Sequence, residues 1–363
     1  MSEAAGADTL AAHAKASPPT DADPAPRGTP CRSLAGDPML VYLIRRIGGA
    51  LGVVAVMAVV VFLAIYAVGD PVEVLASPEA DQAERAAIAQ RLGLDRPLVI
   101  QFVTFIGNAL QGDLGRSFVY NVPAVEVILQ RLPATLELAL AGLLIAMVLG
   151  IPLGLVAGLR PNSWTGRGIM SGSILGFSLP NFWIGLMLIL LFAVQLRILP
   201  ASGRGETVPL LGVPVAFLTL DGLRHLVLPA LTLALYKTAL VIRITESGTR
   251  EVMGQDYIRF ARAKGLAPAR IVLVHVLKAV LIPVVTVLGL ELGSMIAFAV
   301  VTETVFAYPG MGKLLIESIN RLDRPVVVAY LMLTVVIFVV INLVVDLAYA
   351  ALDPRVRLGG QDA

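Results

Sequence analysis

An all-α polytopic membrane protein with six transmembrane helices is the fold class the sequence predicts, and three observations carry it. Charged residues make up 15% of the 363 positions and hydrophobic residues 57%, with a mean hydropathy of +0.83. A soluble domain carries about 25% charged and about 45–50% apolar residues. Four windows run without a single charge: Ile47–Val68 (22 residues), Leu138–Leu159 (22), Gly168–Leu196 (29) and Pro325–Val345 (21). Each exceeds the roughly 20 residues that cross a bilayer as a helix. Two more windows carry one central charge, Leu226–Ile244 around Lys237 and Ala279–Thr302 around Glu291. Bare backbone groups cannot face lipid, so these segments bond internally as helices. A β-barrel would instead alternate over segments of about 10 residues.

The elements follow in order. Residues 1–38 are rich in Ala, Pro, Asp, Ser and Gly and lack an apolar helical face, which predicts a disordered extension. They do not form a signal peptide, because the first hydrophobic run starts late, is long and follows Arg45 and Arg46. The first span, 39–69, is therefore expected to be retained, with its basic flank in the cytoplasm. Segment 70–131 follows as an extracytoplasmic region, read either as a folded cap on the outer surface or as an amphipathic helix resting on lipid. Ser77-Pro78-Glu79 reads as a helix start, with the helix ending near Gly93. Pro97 opens a second helix, with Leu98, Phe102, Phe105, Ile106 and Ala109 on one face. The remaining spans are placed at about 133–159, 168–196, 225–246, 280–304 and 325–350, with a loop at 247–279 and a cytoplasmic tail at 353–363.

Six spans put both termini on one side. Stretches 160–167 and 247–280 hold eight Lys and Arg, and stretches 197–224 and 305–324 hold six. Excess positive charge marks the cytoplasmic side, so both termini are expected inside. Gly150, Gly154 and Gly158 recur every fourth residue, as do Gly168, Gly172 and Gly176, a spacing that lets helices approach closely. Pro152, Pro180, Pro229 and Pro283 lie in or beside spans, where proline removes a backbone bond and kinks the helix.

Several chemistries find no support. No G-x-x-x-x-G-K-[ST] phosphate loop occurs, since Gly312-Lys313 is followed by leucine. His13, His225 and His275 are scattered, and Cys31 is the single cysteine, so neither a metal cluster nor a disulfide is expected. No serine nucleophile elbow appears. The chain reads as no enzyme by itself. Lys237, Glu291 and Asp346 stand inside spans, where ionisable groups are costly and face a lumen or a partner. Glu291 and Lys237 are therefore candidates for a translocation path; for Glu291 a structural pair or a hydrogen bond to a neighbouring helix is the alternative, and for Lys237 and Asp346 a structural or snorkelling role is preferred.

Asp256–Lys278 concentrates Arg259, Arg262, Lys264, Arg270 and Lys278. Membrane topology and anionic headgroups account for that charge. They do not account for its shape. Asp256–Lys264 reads as a short helix stopped by Gly265, and Pro268 as the first position of the next helix. Tyr257, Phe260 and Ala261 are expected on one face, Arg259 and Arg262 on the other. The result is an elbow suited to a groove in another protein.

The motif "YIRFARAKGLAPARIVLVHVLKAVLIPVVTVLGLELG" resembles the cytoplasmic coupling loop and following span of permease subunits in ABC-type importers, in the branch that handles dipeptides, oligopeptides, glutathione and nickel. "LGLDRPLVIQFVTFIGNALQGDLGRSF", "RLPATLELAL", "SLPNFWIGLMLILLFAVQLRILPASG", "HLVLPALTLAL", "VVTETVFAYPGMGKLL" and "ALDPRVR" resemble the same branch, in order, over Met39–Arg357. The family's general loop pattern E-A-A-x-x-x-G is matched at Ala261 and Gly265, while Arg259 stands where others carry the acid. The resemblance implies the type I ABC importer permease fold. It implies a bacterial inner-membrane subunit that takes up di- or oligopeptides, docking on ATPase subunits through Tyr257, Arg259, Phe260, Ala261, Lys264, Gly265 and Pro268. It also implies a second related permease, two ATP-binding subunits carrying ATP and Mg, and an extracytoplasmic solute-binding protein. Beyond these and membrane lipid, no nucleic-acid partner and no cofactor of its own are expected. An ion-coupled secondary transporter acting alone and a non-transporting scaffold subunit are the alternatives from other classes.

Overall fold

The computed structural model describes residues 38–65, 72, 81–91 and 93–352. The expectations for the N-terminal extension before Pro38, for the helix start at Ser77–Glu79 and for the tail 353–363 lie outside the described residues.

Helix α1 spans Pro38–Ile65. Helix α2, Gln82–Arg91, is capped by the Asp81 carboxylate, which accepts from Glu84 N at 2.8 Å. Gly93 N and Leu94 N then bond back to Gln90 O and Ala89 O, closing the helix at Gly93 in the left-handed region, φ +68°. Helix α3, Leu98–Leu110, follows Pro97. Its Phe102 and Phe105 rings lie 5.2 and 5.9 Å from the Phe62 ring of α1, so the aromatic part of the apolar face read in the sequence rests on the first span, while Leu98 stays exposed. Helix α4 runs Ala124–Leu159, α5 Trp164–Ser178 and α6 Asn181–Gln195. A hairpin of β1 (Val208–Leu210) and β2 (Val213–Val215) precedes α7, Leu220–Met253. Then come α8 (Asp256–Ala263), α9 (Pro268–Val305), α10 (Met311–Asn320) and α11 (Arg324–Leu352).

Five helices, α1, α4, α7, α9 and α11, are long and apolar enough to cross a membrane, and the bent pair α5 and α6 brings the number to six when it is counted as one broken span. Three boundaries depart from the sequence reading. Span 168–196 is not one helix but two, bent by 105° at Leu179-Pro180. Leu179 is extended, φ −88° and ψ 137°, as the residue before a proline prefers. Pro152, Pro229 and Pro283 instead lie inside helices that continue past them. Helix α4 begins at Ala124, so the segment 70–131 does not end where a span begins. Stretch 247–279 is mostly helical, because α7 continues to Met253 and α9 starts at Pro268. The two short strands are an addition to the all-helical plan. They pair antiparallel from Val208 opposite Val215 to Leu210 opposite Val213.

Helices α4 and α7 run in the same direction and touch along their length. Positions 142, 146, 150, 154 and 158 of α4 are Gly, Ala, Gly, Gly and Gly. A Cβ at Gly150 would lie 2.7 Å from Val241 Cβ. One at Gly154 would lie 2.5 Å from Thr245 Cβ and 2.8 Å from Ile242 O, and one at Gly158 2.6 Å from Thr249 Cβ. The first predicted glycine stripe is thus a packing seam. At the second, Gly168, Gly172 and Gly176 on α5, an added Cβ would meet no atom within 4 Å among the described residues.

The connections sort to two ends. Turn 160–163 and the α7–α9 elbow occupy one. The segments before α4, before α7 and between α9 and α11 meet at the other, where Gly203 N donates to Phe306 O at 2.9 Å and Ser117 Oγ to Asp323.

Gly154→Leu should wedge α4 off α7 and destabilise the purified chain in detergent by at least ~1–3 kcal/mol. Gly172→Leu should leave its thermal unfolding unchanged. Equal melting temperatures for the two variants would refute the seam.

Candidate functional site

The elbow is built as a helix with a built-in stop. Gly265 N donates to Arg262 O and Leu266 N to Ala261 O, a paired closure that needs the left-handed φ of +77° at Gly265. A Cβ there would meet nothing within 4 Å, so the backbone conformation and not crowding selects glycine. Pro268 takes the first helical position of α9, whose next turn, Ile271–Val276, is π-wound.

The faces of α8 differ from the sequence reading at one position. Ile258 and Ala261 are buried, at 0% and 6% exposure, against Ile271 and Val276. Tyr257 and Phe260 point outward, at 48% and 62%. Ala261 therefore does not share the outward face of Tyr257 and Phe260. At 100° per residue it falls 60° from Ile258 and 100° from Phe260, and the apolar Ile258 decides which side turns in. Lys264 completes the outward stripe, its Nζ 4.6 Å from the Phe260 ring centroid. Arg259 pairs with Asp256 at 3.2 Å, and Arg262 reaches the Met253 sulfur at 3.8 Å.

Lys237 and Glu291, singled out separately by the sequence, are brought together across α7 and α9 as an ion pair. Lys237 Nζ also donates to Ser294 Oγ at 3.0 Å, and Ser294 Oγ donates to Glu291 Oε2 at 2.7 Å. The side chains are 12% and 27% exposed, so the pair is half-sheltered. Lys237 lies 5.1 Å from the Tyr236 ring. Tyr236 in turn stacks on Phe177 of α5 at 4.5 Å, next to the break at Leu179-Pro180. One ammonium, one carboxylate, one hydroxyl and two aromatic faces thus converge at the level where an apolar span is interrupted. Asp346 pairs with Arg46 of α1, as its structural reading requires.

The end opposite the elbow holds three buried carboxylates that the sequence reading missed. Glu137 of α4 accepts from Arg204 Nε at 3.1 Å and Nη2 at 2.9 Å, and from Ala216 N at 2.7 Å. Arg204 Nη2 also donates to Pro214 O at 2.7 Å, which ties the hairpin down. Burial, reinforced by the Glu137 charge, pushes the Tyr308 hydroxyl above its usual range. It stays a donor, 3.4 Å from Glu137. Glu303, fully buried, accepts from Thr135 Oγ1 at 2.6 Å and from Lys313 N at 2.9 Å. Thr135 Oγ1 accepts from Met311 N at 2.8 Å. The first turn of α10 is therefore capped from outside, by a carboxylate and a hydroxyl of other helices. A Cβ at Gly310 would lie 2.2 Å from Glu303 Oε1, so glycine leaves room for the cap. Asp323, also fully buried, holds Ser117 and the Phe118 N–H. The signal in the sequence is positional: Glu137 stands one residue before Leu138 and Glu303 one after Thr302, so each marks the edge of an apolar window. Among the described residues, no three His, Cys, Asp or Glu side chains gather as a metal-holding group.

Residues 150–358 match the family described as "Binding-protein-dependent transport system inner membrane component", and residues 39–139 match its N-terminal membrane component. The "Di/tripeptide transport system permease protein DppB" of Pseudomonas aeruginosa is 40% identical over 333 residues, covering 88% of this chain and 99% of the relative. The Escherichia coli "Dipeptide transport system permease protein DppB" is 36% identical over 336 residues, with the same coverage. The E. coli "Glutathione transport system permease protein GsiC" is 38% identical over 320 residues, again 88% and 99% covered. A solved inward-facing MetNI methionine ABC transporter aligns at TM-score 0.49 and 17% identity, over 62% of this chain and 96% of that one. Matched by two family models in chain order and by relatives along 99% of their length, the chain belongs to the binding-protein-dependent transport system inner membrane components.

Proposed function

We propose that this chain is the permease subunit of an ATP-driven importer of di- or oligopeptides in the bacterial inner membrane. The observation that carries this reading is the outward stripe of Tyr257, Phe260 and Lys264 on a short, internally anchored helix, in a chain whose relatives are named for peptide and glutathione transport. Two ATP-binding subunits, which hold ATP and Mg, receive the elbow in a groove. A second related permease completes the path, and a solute-binding protein delivers cargo at the end where Glu137, Glu303 and Asp323 tie the long connections. The elbow end lies in the cytoplasm with both termini. The larger count of Lys and Arg on that side supports this orientation.

The lever is α9. It runs unbroken from Pro268 at the elbow past Glu291 to Val305 beside the capped α10, a length of about 57 Å at 1.5 Å per residue. A displacement of the elbow is transmitted along this rod, and the π-wound turn at Ile271–Val276 is where it bends most readily. The Lys237–Glu291 pair joins the rod to α7 halfway along and lies on the wall of the path. An ion-coupled transporter acting alone would leave the outward aromatic stripe without a task.

Gly265→Val forces a β-branched residue into the left-handed region, at a cost of roughly 1–2 kcal/mol. With the docking helix misplaced, peptide uptake by the reconstituted complex should fall by about tenfold or more while the subunit still inserts. Wild-type uptake with normal peptide-stimulated ATP hydrolysis would refute the docking role. Lys237→Met should destabilise the subunit by up to ~3 kcal/mol by leaving Glu291 unpaired, and the double variant with Glu291→Met should recover most of that loss. Uptake should stay low in the double variant, because the path has lost its charges. Uptake that recovers together with stability would make the pair a structural tie and remove it from the path.

A further inference from the structure

Helices α1 and α11 touch near their two ends and part between them. Toward the end opposite the elbow, Ala58 and Val61 pack on Val328 and Met332. Toward the elbow end, Arg46 pairs with Asp346. The gap between these contacts is a cavity of 590 Å³ walled by Gly52, Val53 and Val56 on one side and Val335 and Phe338 on the other, with Ala297 of α9 at its floor. A second cavity of 350 Å³ shares Val53 and Phe338 with the first and opens at Arg45, Arg46 and Asn342. The two form one slot, apolar along its length and polar at a single mouth. The glycines widen it: a Cβ at Gly49 or Gly52 would meet no atom within 4 Å.

We propose that this slot binds one anionic phospholipid, with an acyl chain between α1 and α11 and the phosphate at Arg45. The proposal depends on the chain spanning a membrane and not on the identity of its cargo. Three observations select the occupant. Water is a poor filler, because it needs two to four polar partners and the wall offers hydrocarbon. A partner helix is about 10–12 Å across, whereas a single hydrocarbon chain is thinner and suits a groove whose walls meet at both ends. The mouth sets the sign of the headgroup. Arg46 is engaged by Asp346, while Arg45 is exposed and has no acidic partner among the described residues. A guanidinium offers a phosphate two parallel donors, and anionic lipid attracts such basic flanks of a span. The bound lipid would act as a strut that couples α1 to the α9–α11 pair.

The test is native mass spectrometry of the intact transporter complex released from nanodiscs of phosphatidylglycerol, phosphatidylcholine or an equal mixture. The wild type should retain one phosphatidylglycerol in preference to phosphatidylcholine by about tenfold, equivalent to 1.4 kcal/mol. Arg45→Gln should bring the two lipids to equal retention. Gly52→Leu, whose Cβ meets no protein atom within 4 Å, should abolish retention of both. Val56→Phe serves as a second filler if Gly52→Leu does not assemble. Gly52→Ala, too small to fill the slot, should behave as wild type. Equal retention of both lipids by the wild type would overturn the proposal, as would undiminished retention in both filled variants. So would cross-linking of Gly52→Cys, in a Cys31→Ser background, to another subunit, because that would place a protein segment in the slot.

Discussion

The seam between α4 and α7 is the constraint on which the rest of the structure depends. Lipid is as apolar as leucine, so no hydrophobic force drives two spans together; close van der Waals fit does. Glycine and alanine at positions 142 to 158 bring the α4 backbone within reach of the α7 backbone, as the short distance from Gly154 to Ile242 O shows. Helix α7 is consequently the most enclosed of the spans. It carries both the elbow that follows it and Lys237, and its position decides where both are presented.

From this axis the molecule divides into two ends with different chemistry. At one end, three buried carboxylates organise the long connections. Glu137 clamps the hairpin through Arg204, Glu303 caps α10 from outside, and Asp323 holds the loop before α4. A buried carboxylate is tolerated only when its lone pairs are filled, and each of these takes two or more donors. At the other end, a single short helix rests on Ile258 and Ala261 and turns its aromatics outward. One end is tied down by polar bonds. The other rests on an apolar contact around a left-handed glycine turn.

Two discontinuities lie where the spans would otherwise be featureless. The break at Leu179-Pro180 places Phe177 beside Tyr236, and so beside the Lys237–Glu291 pair. The parting of α1 from α11 makes a slot with a basic mouth. Both arise from local rules, the extended preference before proline and the missing side chains of Gly49 and Gly52. Their consequences come from which helices stand opposite.

The number and type of the spans, the end of α2 at Gly93, the start of α9 at Pro268 and the turn at Gly265 were legible in the residues, because each is a short-range preference of backbone or solvent. The first glycine stripe announced its packing, but an identical spacing on α5 packs against nothing among the described residues. Spacing states what a helix face permits, and only a neighbour decides whether it is used. The same limit hid Glu137 and Glu303. A charge at the edge of an apolar window reads as the point where the span meets water. In the folded chain, loops distant in sequence cover that edge, and the charge becomes a buried anchor. Ala261 shows it at the scale of one helix, since pattern placed it with Phe260 and packing turned it inward with Ile258. The sequence by itself determined the spans, their breakers and the family. Tertiary structure decided which charges pair and which faces turn outward, because pairing and burial depend on partners that no local pattern encodes.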